Sequence, residues 1–240
     1  MKNCVLALTL LAANVIAAAP ALAQAPGFDW SGAVAYGKTV EIRGVNGSVR
    51  ALESDDGAVR VEAMRSARRS DPASVRIEVV EHDGGVTICA VYPTPSGSRS
   101  ENGCRRGGGG MNTRDNDVQV DFVVRVPSGV RLAATTVNGA IDVQALRSDV
   151  QATTVNGSVN IQTTGFVSNA TTVNGGIVLE MPADLNANFH ATTVNGEIDS
   201  DFPMVATGRL SRRNLQATIG SGGPELRATT VNGSISLRRR

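Results

Sequence analysis

Ala134-Thr135-Thr136-Val137-Asn138-Gly139 is repeated letter for letter at 152–157, 170–175, 191–196 and 228–233. A shorter echo, Val45-Asn46-Gly47-Ser48-Val49, lies far upstream. Two residues after each full copy's glycine stands an aliphatic residue: Ile141, Val159, Ile177, Ile198 and Ile235. Successive asparagines are 18, 18, 21 and 37 residues apart. Self-similarity at such a period marks a repeat architecture in which each unit buries its apolar face on its neighbours.

Each unit alternates with period 2 on both sides of Asn-Gly, as in Leu132/Ala134/Thr136 with Ile141/Val143. That is the strand signal. It favours Ala and the second Thr pointing inward, but parity does not exclude the first Thr and Val instead, and a bulge at Asn-Gly would mix the two faces. Asn and Gly tolerate positive φ, so the pairs Asn46-Gly47, Asn138-Gly139, Asn156-Gly157, Asn174-Gly175, Asn195-Gly196 and Asn232-Gly233 read as structural turns. Two topologies can use them. In an antiparallel meander or sandwich each Asn-Gly is a hairpin loop. In a single-chain β-solenoid it is a corner, and equivalent residues of successive coils stack. Stacking gives Asn amides and Thr hydroxyls a reason to recur along with the turn, so the solenoid is the favoured fold.

The chain opens with a targeting pattern: Lys2, an apolar run from Val5 to Ala19, and an Ala21-Leu22-Ala23 cleavage site. Residues 1–23 are therefore expected to be a signal peptide. The run is broken by Asn14 and ends at Pro20, so it is short for a membrane span. The mature chain is expected to be exported, periplasmic or secreted to the cell surface, and not transmembrane. With 23 basic and 22 acidic residues, and Lys2 lost on cleavage, it is formally neutral. Aromatic residues make up only 3%. Nucleic-acid binding would call for a basic excess and aromatic platforms, so it is set aside.

Cys89 and Cys104 remain after cleavage, an even pair in an oxidising compartment. They are expected to form a disulfide at the base of a loop, worth about 3 kcal/mol for a ring of this size. Two cysteines without a nearby His or acidic cluster do not make a zinc site. No metal and no cofactor is expected.

In order along the mature chain, residues 24–37 read as a loose N-terminal arm. Residues 38–126 read as an irregular β region of short alternating runs. It carries an aperiodic, mobile 93–117 loop with glycines at 107–110. No Lys-Ser/Thr and no helix follow those glycines, so they are not a phosphate loop. Residues 127–240 read as the regular repeat solenoid. A degenerate copy is suggested by Leu215-Gln216-Ala217-Thr218-Ile219-Gly220, with Gly222-Gly223-Pro224 as its turn.

The repeats Thr136 to Ile141, Thr154 to Val159, Thr172 to Ile177, Thr193 to Ile198 and Thr230 to Ile235 carry a T-x-N-G-x-I signature. The chain in this respect resembles the bacterial "putative-adhesin" family of exported β-strand-repeat domains of unknown function. Ile88-Cys89-Ala90-Val91-Tyr92-Pro93 with Cys104, and Val124-Arg125-Val126-Pro127, are similar too. The resemblance spans roughly residues 38–240 and implies a single-chain β-solenoid. It brings no catalytic residues and names no ligand.

Exported β-helices include polysaccharide lyases and hydrolases, which need grouped acids on one face. Four residues after each Asn stand Asp142, Asn160, Val178, Asp199 and Ser236, so the acids are not neighbours in the repeat order. Asp199 and Asp201 are the best local acid pair, and Phe202-Pro203 beside them suggests an ordinary turn. His82 and His190 lack a partner Cys or second His nearby in the sequence. The expectation is therefore a non-enzymatic, adhesin-like interaction module. It would bind through the solenoid faces or the 93–117 loop, with a cell-surface glycan or envelope protein as the partner class. The N-terminal half is expected to cap one end of the stack, and Arg238-Arg239-Arg240 to blunt the edge at the other.

Overall fold

A computed structural model describes residues 23–24, 27–106, 111–207, 211 and 213–240. The expected signal peptide, Ala23 excepted, and the glycine run at 107–110 lie outside the described residues.

The repeats stack as a parallel β-solenoid of two ten-stranded sheets. Each coil contributes one strand before its corner and one after it, and is named here by its corner Asn. The Asn46 coil comprises Thr39–Arg43 and Val49–Glu53. The Asn138 coil comprises Arg131–Thr135 and Ile141–Leu146. The Asn156 and Asn174 coils are Val150–Thr153 with Val159–Thr163, and Val167–Thr171 with Ile177–Met181. Equivalent residues pair in parallel, as in Ile141 with Val159 and Val159 with Ile177. This parallel register rules out the antiparallel meander.

Two features lay beyond the repeat spacing. Below the Asn46 coil sits a basal coil, Gly85–Val91 and Gln119–Val126, whose strands pair in parallel with Thr39–Arg43 and Val49–Glu53. The 93–117 segment thus replaces a corner, and residues 38–126 belong to the same stack as the repeats. At the other end, stack order departs from chain order. The Asn232 coil, Glu225–Thr229 and Ile235–Arg239, lies between the Asn174 coil and the Asn195 coil, Ala187–Thr192 and Ile198–Ser200.

Antiparallel strands close three of the four sheet ends. Val59–Ala67 covers Gln119–Val126 and in turn carries Phe28–Gly32 and Ala23–Gln24. Part of the expected loose arm is therefore a strand, because its Phe28 and Trp30 have core to cover. Arg76–His82 covers Gly85–Val91. Asn214–Ile219 pairs antiparallel with Ala187–Thr192 and carries Met204–Ala206. The expected degenerate copy is thus a capping strand and not a coil. Among the described residues, the fourth end, Ile198–Ser200, pairs only with Ile235–Arg239. Arg238 to Arg240 therefore do not blunt an edge, since their strand is interior in this sheet.

Inside the stack, Leu132, Val150 and Val167 meet Ile141, Val159 and Ile177, all fully buried. Nearest the corners come Ala134, Ala152, Ala170, Ala191 and Ala228, followed by the second Thr of each repeat. Small residues fit there because the two sheets converge at the corner. Thr136, Thr154, Thr172, Thr193 and Thr230 are at most 3% exposed, which settles which Thr faces inward.

Candidate functional site

The corner is the first place to look for chemistry, and its groups are spent on holding the stack together. Asn Nδ2 donates to the Oδ1 of the neighbouring coil's Asn from 138 to 46, 156 to 138, 174 to 156, 232 to 174 and 195 to 232, at 2.7–2.8 Å. The buried Thr hydroxyls do not stack on each other. Thr136, Thr154, Thr172, Thr230 and Thr193 donate to the carbonyls of Gly47, Gly139, Gly157, Gly175 and Gly233 at 2.8–3.0 Å. A buried polar group is thereby satisfied at every level.

The glycines are required for a different reason from the one their turn suggests. No corner Asn has positive φ, and of the corner glycines only Gly47 lies well inside that region, at 121°. What the column demands is space. A Cβ on Gly139, Gly157 or Gly175 would lie 1.9–2.1 Å from the carbonyl oxygen of the glycine one coil below.

Of the sequence's candidate acids, Asp199 and Asp201 do come together, but around Arg238. Its guanidinium lies 2.7 Å from Asp199 and 3.0 Å from Asp201, and these contacts raise its pKa. Asp142 and Asp199 stay apart, because Asn160, Val178 and Ser236 separate them in the stack. A shallow cavity of about 230 Å³ on this face is lined by Asp142, Gln144, Asn160, Gln162 and Glu180. Its acids already accept from amides: Gln144 donates to Asp142 at 2.5 Å and Gln162 to Glu180 at 3.0 Å. On the opposite sheet the outward Thr135, Thr153, Thr171, Thr229 and Thr192 align in one row. His190 faces Glu225 there, at 3.8 Å.

The basal end gathers more. The described residues of the 93–117 segment, 93–106 and 111–117, fold over the outer face of Gly85–Val91, so Thr87, Cys89 and Val91 are buried on a side that other coils leave open. These residues are fastened, as expected at the base; the glycines at 107–110, which chiefly carried the expectation of a mobile loop, lie outside the described residues. Cys89 and Cys104 are joined by a disulfide with Cα atoms 5.5 Å apart. Asn102 donates to the carbonyls of Tyr92, Pro93 and Asn112 and accepts from the Asn112 N–H. At the far base, the Asp117 carboxylate accepts backbone N–H groups from Arg68, Arg69 and Ser70. These bonds, Ser70's above all, hold its pKa down at about 2. Tyr92 sits under the missing corner and donates to the Val118 carbonyl at 2.7 Å. Burial pushes its pKa up to about 12.

Beside the insertion, a cleft of about 230 Å³ is lined by Trp30, Val34, Lys38, Glu81, His82 and Asp83. The Arg106 guanidinium lies against Gly84 in the turn that forms one wall, so insertion and cleft are contiguous. His82 is held in one tautomer. Its Nδ1 accepts from Gly84 N–H, which leaves Nε2 as the donor to Thr87, whose hydroxyl donates to Glu41. Lys38 Nζ donates to the Asp83 carbonyl at 2.5 Å. Sequence reasoning passed over this cleft because Trp30 fell in the expected loose arm, some 50 residues from its opposite wall. The one available signal was that the chain's only Trp and the only Lys beyond the expected signal peptide lie eight residues apart.

The Toastrack DUF4097 family description matches residues 40–238. The chain belongs to the Toastrack DUF4097 family. A putative cell adhesion protein from Clostridium sporogenes shares this fold, with a TM-score of 0.56 and 11% identity over 90% of this chain and 100% of that one. A putative adhesin from Bacteroides fragilis is also 11% identical, over 90% of this chain and 97% of that one, but its TM-score of 0.32 supports no comparison of sites. No curated protein matches the chain. In this Toastrack member the repeats coincide with the stacked coils, and the family match takes in the basal coil and its insertion. No helix among the described residues is long and apolar enough to cross a membrane.

Proposed function

We propose that the chain is an exported, non-catalytic interaction module that binds glycan at its basal end. One observation carries this reading: the coil that lacks a Val-Asn-Gly corner has a disulfide-fastened insertion contiguous with a cleft holding the only Trp. Binding residues are commonly set on loops that a rigid scaffold positions. An indole offers a sugar ring an apolar surface, and Glu81, Asp83 and Lys38 supply hydroxyl partners around it. The adhesion-related names of the structural neighbours agree with a surface-binding role, as does the expected signal peptide. A polysaccharide-cleaving role has less support, since the acids on the post-corner face are engaged by Arg238 or by side-chain amides.

Trp30 makes the test direct, because the intrinsic indole fluorescence of the mature chain comes from that residue alone. Titration with soluble fragments of bacterial envelope polysaccharide should shift its emission saturably, and Asp83→Asn should weaken binding about tenfold. Binding on a glycan array that survives Trp30→Ala and Asp83→Asn unchanged would move the site to the sheet faces. Absence of binding to every glycan would sink the reading.

A further inference from the structure

The C-terminal repeat is a separable element inserted into an otherwise complete stack. Residues 169–181 and 188–200 form the two lips of a slot, and residues 225–239 fill it with parallel pairing on both sides. From the lower lip, Thr172, Gly175 and Ile177 donate backbone N–H groups to Thr229, Asn232 and Ser234. Toward the upper lip, Thr230, Gly233 and Ile235 donate to Thr192, Asn195 and Glu197. The Asn232 amide splices the Asn ladder between Asn174 and Asn195.

The chain spacing shows how the slot arises. Steps of 18 residues join adjacent coils, whereas the 21-residue step from Asn174 to Asn195 skips one level. The links between strands lengthen accordingly, from 164–166 in one coil to 182–186 at the skip. Those extra residues supply the additional rise of about 4.8 Å that one strand spacing requires.

The inserted element is joined to the preceding part of the stack by a short link. Its tether is Gly220-Ser221-Gly222-Gly223-Pro224, which carries the chain across the end of Ala187–Thr192 from one flank to the other. Gly220 and Gly222 have φ of 58° and 78°. Everything the slot recognises lies within residues 225–240: the repeat itself, Arg238 for Asp199 and Asp201, and the Arg240 N–H for the Met181 carbonyl. A second copy of this chain carries the same element with the same fit.

We propose that residues 225–240 are a donor segment, which fills the slot of its own chain in the monomer and the slot of a second copy in linked assemblies. Exchange of an identical element creates no new contacts, so only the tether and the protein concentration decide between the two. The five tether residues, freed from their reversal, extend to roughly 17 Å, enough to lead out of one stack toward another. The proposal does not depend on the glycan reading.

Val178 and Ser236 are cross-strand partners on the outward face, at a spacing that admits a disulfide. Two otherwise complete chains, one Val178→Cys and one Ser236→Cys, would be unfolded together with the native disulfide intact, refolded at high concentration and oxidised. A bond between the two new cysteines forms only if one copy's segment sits in the other's slot. Peptide mapping should find that 178–236 bond at least tenfold more often than when the chains are folded apart and then mixed. Deleting Ser221, Gly222 and Gly223 should raise it further, because two residues barely reverse direction across two strand spacings of about 10 Å in all. Equal yields from co-refolded and separately folded chains would overturn the proposal, as would a heterodimer bonded elsewhere. The native-tether pair decides the matter even if the shortened tether does not fold.

Discussion

Gly157 shows how a residue can be predicted for one reason and required for another. From the sequence, Asn-Gly suggests positive φ. In the stack its φ is not in the positive region, and the requirement comes from the Gly139 oxygen, 2.1 Å from where a Cβ would stand. Neither atom can retreat without parting two coils. Gly157→Ala should therefore cost about 3 kcal/mol by overpacking, measured by urea unfolding. Replacement of the exposed Asn156 by Ala should cost less, about 2 kcal/mol, the net worth of its two ladder hydrogen bonds. The demand on Gly157 was invisible in the sequence because it belongs to a neighbour 18 residues away. Asp117 offers a second residue-scale test. Its folded pKa of about 2 lies below its ordinary value of 3.8, so the unfolded chain takes up the proton first as pH falls. The stability it contributes is complete above about pH 4 and is lost between about pH 4 and 2. Asp56, held at about 2 chiefly by Arg60, acts in the same window. Asp117→Asn should flatten the acid limb of a stability–pH curve and leave only the share due to Asp56.

At the scale of elements, what was legible depended on whether an element's role is local. The strands around each corner followed from alternation, whereas parity favoured the Ala and second Thr without excluding the first Thr and Val, and only burial decided between them. The capping strand Asn214–Ile219 was misread as a coil because its Ala-Thr-Ile alternates just as a repeat does. Nothing within it states that its partner Ala187–Thr192 runs the opposite way. The 93–117 insertion was legible at its disulfide base and less so elsewhere. Its Gly, Ser and Asn content suggests mobility, whereas Asn102, Asp117 and the disulfide fasten its described residues through contacts 10 to 49 residues apart in sequence. Removing the covalent link with Cys89→Ala and Cys104→Ala should lower stability by about 3 kcal/mol, as expected for a 15-residue separation. Hydrogen exchange should then rise in the insertion first. The parallel coils above Asn138 should keep their protection, because none of their hydrogen bonds runs through it.

For the whole molecule, protection should follow stack position and not chain position. Ile235–Arg239, near the chain end, is flanked on both sides, whereas Ile198–Ser200 forms an edge. Amides of the C-terminal strand should exchange more slowly than those of 198–200 in the folded protein, the reverse of ordinary terminal fraying. The amino-acid sequence by itself determined an all-β repeat and favoured the parallel solenoid, since stacking gives near-identical residues at a near-constant step a reason to recur; the parallel register in the structure excluded the meander. The sequence narrowed the inward face to a choice of two parities, and burial of the second Thr in the structure made that choice. Tertiary structure alone decided the order of the last two coils. Identical repeats make equivalent contacts at any level, and only the longer link at 182–186, the antiparallel cap and the Arg238 ion pairs distinguish the levels. It also decided where the candidate site lies. A cleft between Trp30 and Glu81 to Asp83 exists only once the basal coil has brought two distant segments to the same end of the stack.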